Sequence, residues 1–290
     1  MLLLALGAAS ARAEIVVRDD TGREVRLADP ASRIVPLHGG LAEILLALGA
    51  GDRIVARTDA DQDVPGLADL PSIGTHMRPG VERVVHLRPD LVVQMDGRDE
   101  ARESVQALES LGLTVAVFRA ADMDGLMRTL DRLGTLTGTQ ARACDLADSW
   151  QARLKAVEIR VADRPPVPLV FEVRYPNLLV AGDQGMTADI IRRAGGRNLV
   201  TEPAKLVRLG EETLVALAPE AYVTLTGPMN PCPIRLPDRP HFRTLPAVRH
   251  NRVLNVDQLA CVRPGPRNIE AVEELAAFLH PSISTGEARP

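Results

Sequence analysis

The stretch from Thr139 to Asp163, TQARACDLADSWQARLKAVEIRVAD, constrains the rest of the chain more than any other. Ala143, Ala147, Trp150, Leu154, Val157 and Val161 recur at steps of three and four, the spacing of one helical face. The stretch holds no Gly or Pro, and Arg164-Pro165-Pro166 ends it. Such a helix is roughly 35 Å long, about the height of a small domain. A strut of that length either joins two lobes or lies on the surface of a single domain.

The sequence on each side favours two lobes. IVVRDDTGREVRLADP reads as a hairpin turning at Asp20-Thr21-Gly22. RIVPLHGG then runs from a strand into a Gly-bearing loop, and LAEILLALGAG is a helix with a Gly stop. RIVAR, DLVVQM and LTVAVF are expected as strands, with VERVVHLRP, ARESVQALESLG and MDGLMRTLDRLGTLTG as helices between or after them. Beyond Pro166 the pattern restarts: VPLVFEV is a strand, YPNLLVAGDQG a loop, MTADIIRRAGG a helix, NLV a short strand, EETLVALAP a helix and EAYVTL a strand. PAVRHNRVLNVD and GPRNIEAVEELAAFL complete it as a loop with a strand and a closing helix. Short βα alternation of this kind implies α/β lobes with largely parallel sheets. VVHLRPDLVV from Val84 also lies over LVALAPEAYV from Leu214 at an offset of 130 residues, and EILLALGAGDRIV resembles DIIRRAGGRNLV. The expected fold is two Rossmann-like α/β lobes, residues 14–138 and 164–290, bridged by the helix over 139–163, with the ligand cleft between lobes.

Composition narrows the function. A net charge of -4 gives no basic footprint for nucleic acid. Residues 1–13, MLLLALGAASARA, read as a signal peptide with a small-x-small cleavage site before Glu14. No Cys stands at that site to carry a lipid, so the expectation is a soluble, monomeric protein of the periplasm. In an oxidising compartment Cys232 and Cys261 could pair, leaving Cys144; three reduced thiols are the alternative, because spacing does not establish pairing. Gly-x-Ser-x-Gly, GxxxxGK[ST] and HExxH are all missing, and no nucleophile, base and orienter set stands out, so no catalytic residue is assigned and an exported α/β enzyme is the weaker reading. Loops at the carboxyl ends of parallel strands are where an α/β fold takes a ligand. Those loops carry His38, His76, Met77, Arg78, Arg98, Arg174, Tyr175, Arg263 and Arg267.

The succession RIVPLHGGLAEILLALGAGDRIVA, DLPSIGTHMRPGVERVVHLRPDLVV, NLLVAGDQGMTADIIRRAGGRNLV and RPGPRNIEAVEELA resembles the substrate-binding proteins of ABC importers for iron chelates, haem and cobalamin. The resemblance covers nearly all of the chain after the leader. It implies two lobes joined by one long helix, a metal chelate as cargo (an iron-siderophore, haem or a corrinoid) and no cofactor of the protein's own. It also implies a membrane permease and ATPase as partners. An acidic residue on each lobe would meet permease arginines; the matching positions are Glu82 and Glu212, with Glu211 as a substitute for the latter. His76 falls near the position where haem-binding relatives place an axial Tyr, and it is the expected ligand to iron or cobalt, with Met77 as a softer donor. Tyr175 is expected to stack on a macrocycle or bind metal through its phenolate, and Arg263 and Arg267 to take carboxylates. A small oxyanion such as molybdate is the alternative cargo.

Overall fold

The computed structural model describes residues 14–97 and 99–281. The expected leader over residues 1–13 and the candidate Arg98 lie outside the described residues. The chain divides into two compact units, one running through Phe118 and including Asp131–Ala143, the other comprising Arg119–Leu130 and the chain from Cys144 onward.

In the first unit, β1 (Ile15–Arg18) and β2 (Glu24–Leu27) form an antiparallel hairpin in the register Ile15↔Leu27. Its turn contains Gly22 at φ +86°, a conformation that an L side chain rarely adopts. The buried Asp19 carboxylate accepts from the Thr21 and Arg23 backbone N–H groups and from the Thr21 hydroxyl, and it receives the Arg23 guanidinium. It also accepts from the N–H of Val117, which ties the hairpin to the sheet. That sheet is parallel: β3 (Ile34–Pro36), β4 (Leu91–Met95) and β5 (Val115–Phe118) in the order β3-β4-β5. All five residues of β4 are buried, as expected of a strand covered on both faces. Between the strands lie α1 (Gly39–Ala47), α2 (Val81–His86) and α3 (Asp99–Ser110). RIVAR, expected as a strand, instead begins in a 3₁₀ turn over Gly51–Arg53 and keeps only the isolated bridges Ile34↔Ile54 and Arg57↔Ser72. The turn takes the residues that would have opened the ladder.

The chain passes between the units through α4 (Met123–Thr137) and α5 (Gln140–Val161). The 22 residues of α5 match the expected strut closely, and Ala143, Trp150, Leu154 and Val157 are its buried stripe. In the second unit, β6 (Val167–Arg174), β7 (Leu179–Ala181), α6 (Met186–Arg193), β8 (Gly196–Asn198) and β9 (Leu206–Arg208) are followed by α7 (Glu211–Leu217) and β10 (Ala221–Thr226). α8 (Pro246–Arg249), β11 (Val253–Asp257), α9 (Gln258–Cys261) and α10 (Arg267–Leu279) complete it. The strand order is β11-β10-β6-β7-β9, with β8 also on β6. β8, β6, β10 and β11 are parallel neighbours, whereas β7 and β9 are antiparallel. The segment expected as a loop after Tyr175 thus supplies β7, and β9 arises where no strand is expected; three-residue strands carry too little alternation to be read.

The offset of 130 residues holds in detail. α2 and α7 both start after a Gly, and the turns that follow match: Arg88 at φ 47° and Ala218 at φ 46° each precede a Pro. Val84 N–H donates to Gly80 O and Leu214 N–H to Gly210 O at 3.0 and 3.1 Å. Asp90 N–H donates to Arg33 O, and Glu220 N–H to Pro168 O, at the head of the next strand. Val84 with Val92 in the first core, and Leu214 with Tyr222 in the second, occupy equivalent places.

Candidate functional site

β3 leads through Leu37 into His38, which caps α1: its Nδ1 accepts the Gly40 N–H at 3.2 Å. With Nδ1 as acceptor, the neutral ring carries its proton on Nε2. The His76 ring meets that of His38 edge to face, with centroids 5.8 Å apart and planes at 89°. The two histidines singled out in the sequence, 38 positions apart, therefore share one place.

The loop that brings His76 there is fixed at both ends. Gly74, at φ +96°, bridges Pro79, and a Cβ on it would come within 3.3 Å of Arg78 O. Gly80 N–H donates to Ile73 O at 2.6 Å, and Arg78 N–H to the Thr75 hydroxyl at 3.2 Å. His76 and Arg78 are exposed and Met77 is half-buried. Beneath them is a residue the sequence reading passed over. Gln94, 2% exposed in the apolar strand β4, donates from Nε2 to His76 O at 3.0 Å and accepts the Met95 N–H at 2.9 Å. The signal for it was an amide inside LVVQM: a buried amide needs partners on both its atoms, and a nearby loop can supply one.

In the second unit the carboxyl end of β6 carries Arg174 and Tyr175. Tyr175 is half-buried beneath the Arg239 guanidinium, 3.8 Å from its ring centroid, and edge-on to Phe242. Its hydroxyl donates to Glu211 Oε1 at 2.9 Å. Burial, then the Glu211 carboxylate, push the Tyr175 hydroxyl above the ordinary phenol value, which disfavours the phenolate expected as a metal donor. Arg239 is fully buried and forms a bidentate pair with Glu172, at 2.5 Å to Oε2 and 2.9 Å to Oε1. Tyr222 adds its hydroxyl to Glu172 Oε2 at 2.7 Å; burial and the Glu172 charge push its own pKa well up. Nothing in the periodicity of the sequence pointed to Arg239, which lies in an irregular stretch.

Arg263 is half-buried, and the loop after it is held by the buried Asn268. The Asn268 amide donates to Ala260 O and Arg263 O and accepts the Gly265 N–H. Arg267, the first residue of α10, pairs with Asp257 at 3.1 Å. Glu82 and Glu212 are exposed in the first turns of α2 and α7, where a carboxylate also favours the helix dipole. Glu211 is engaged by Tyr175, which leaves Glu212 as the outward carboxylate of that pair. Cys144, Cys232 and Cys261 are free thiols, the alternative of three reduced cysteines rather than a Cys232–Cys261 bond. Cys232 is exposed, whereas Cys261 is buried at the end of α9, where burial pushes its thiol up to about 12.

Among the described residues no three His, Cys, Asp or Glu side chains are grouped to hold a metal ion, and no helix is long and apolar enough to cross a membrane. The sequence family described as periplasmic binding protein matches residues 34–259. An ABC transporter substrate-binding lipoprotein of Bacillus subtilis is 27% identical over 92% of this chain and 86% of its own length. A vitamin B12-binding protein of Vibrio cholerae is 23% identical over 86% of this chain and 90% of its own. The crystal structure of a periplasmic heme binding protein from Pseudomonas aeruginosa superposes with a TM-score of 0.77 at 27% identity, covering 87% of this chain and 94% of that one. With the fold, the long helix and a family match spanning most of its length, the chain belongs to the periplasmic binding protein family and is a binding protein rather than an enzyme.

Proposed function

We propose that this protein captures an iron or cobalt chelate outside the cytoplasm and delivers it to the permease of an ABC importer. The observation that carries the reading is the match of the whole fold to proteins named for haem and vitamin B12, together with the meeting of the His38 and His76 rings. A single imidazole can complete the coordination of a macrocycle or siderophore complex. His76 is that imidazole: its loop is braced by Gln94, Gly74 and Gly80, and the His38 ring lies against it. Tyr175 serves as a positioning residue that holds the mouth of the second unit through Glu211 and Arg239.

Delivery rests on Glu82 and Glu212, exposed at equivalent corners of a duplicated βα unit. Carboxylates so placed meet arginine forks and set orientation and association rate more than affinity. The test is chelate uptake by cells whose only copy of the gene carries Glu82→Ala and Glu212→Ala together. Uptake should be abolished while the purified variant binds chelate as wild type does. Wild-type uptake by the double variant would refute the docking assignment.

A further inference from the structure

Arg174 ends β6, the strand on which β8, β10 and β7 all pair, and so stands at the carboxyl end of the sheet, the end at which parallel α/β sheets take ligands. Its Nε is buried and has no hydrogen-bond partner, alone in this respect among the buried side-chain nitrogens and oxygens of the described residues. The acid two residues before it in β6 and the acid bonded to its neighbour Tyr175 are already committed. Both oxygens of Glu172 are occupied by Arg239, one of them shared with the Tyr222 hydroxyl, and Glu211 takes the Tyr175 hydroxyl. A guanidinium cannot shed its proton to escape such a site. A buried donor left unpaired costs about 1–3 kcal/mol and more when charged, so one kept in place calls for a partner that the isolated chain does not supply.

We infer that Arg174 receives a carboxylate of the cargo, and that the cargo is therefore an acid-bearing chelate, a metallated tetrapyrrole with free carboxylates, rather than a corrinoid whose side chains end in neutral amides. This rests on the chelate-binding reading above and selects within it. A guanidinium takes a carboxylate through two parallel N–H bonds, and Nε is one arm of that fork. Recognition of this kind discriminates, because only a ligand with an acid supplies the bond that Nε lacks in the isolated chain, and a ligand without one leaves it unpaired.

The experiment compares three probes on the purified protein: haemin, its dimethyl ester and cyanocobalamin, each titrated by absorbance. Wild type should bind haemin at least tenfold more tightly than the diester, a comparison that requires no variant to fold. Arg174→Met should lose at least tenfold for haemin and little for the diester, and Arg174→Lys should recover part of the loss. The ligand-free Arg174→Met protein should melt no lower than wild type, since it buries one fewer unpaired donor. Equal affinity for haemin and diester, or equal losses for both in Arg174→Met, would overturn the inference. Binding of cyanocobalamin without haemin would overturn it while leaving the chelate-binding reading intact, and binding of no probe would overturn it and restrict that reading to a siderophore complex.

Discussion

At the scale of single residues, the account depends on which buried polar groups have their bonds in place and which do not. Gln94 closes two such bonds, and through His76 O it decides where the His76 ring stands. If that ring ligates the cargo's metal, His76→Ala should weaken chelate binding by at least tenfold and shift the visible spectrum of the bound chromophore; unchanged affinity and spectrum would reduce His76 to a loop residue. Asp19 is the second case. Burial alone would raise its pKa, but the bonds from Thr21, Arg23 and Val117 outweigh burial and hold it below the ordinary carboxylate value. The ionised form is thus favoured in the folded state, and the stability it contributes is present above about pH 4 and lost as pH falls through the lowered value. Asp19→Asn should flatten the acid limb of the stability profile as followed by circular dichroism, and an unchanged limb would contradict this. His38 and His76 were legible in the sequence as loop residues of the right chemistry. Their contact was not, because it is made by two loops whose meeting depends on β3 and β4 lying side by side.

At the scale of elements, the repeated helix and strand pair is the most informative feature. Leu214 in α7 is fully buried where Val84 stands in α2, whereas Glu212 and Glu82, two residues earlier, are exposed. Leu214→Ala should therefore lower the unfolding free energy by about 2–5 kcal/mol in a denaturant titration, while Glu212→Ala should change it by less than ~0.5 kcal/mol. Similar losses from both would mean that α7 packs otherwise than described. α5 is tied to α10 by the Arg153–Glu273 fork at 2.6 and 2.8 Å. Both side chains of that fork are over one-third exposed, so Arg153→Ala should cost no more than about 1 kcal/mol of stability, read as a small shift of the melting temperature. α5 was readable because a gap-free apolar stripe and a Pro-Pro stop leave little else for the stretch to do. RIVAR misled because five apolar or basic residues satisfy a strand pattern, while the preceding Gly51-Asp52-Arg53 prefers a tight turn. β9 was hidden for the opposite reason, since its pairing with β7 is set by the sheet and not by its own three residues.

At the scale of the whole molecule, two α/β units that share a repeated helix and strand pair, a long helix in the chain between them and a family match over residues 34–259 make a carrier the economical reading. The fold class was legible throughout, because βα alternation is written in every segment. The cargo was less so: the proposed site depends on how loops bring together His38 with His76, and Tyr175 with Arg239, and none of these distances is encoded locally. The most direct test is to purify the exported protein from its native source and analyse what it carries by elemental analysis, absorption spectrum and mass spectrometry. The account predicts about one iron or cobalt atom per chain, held in a chelate that native mass spectrometry releases intact. A protein that carries neither iron nor cobalt, or that carries an oxyanion such as molybdate instead, would contradict it.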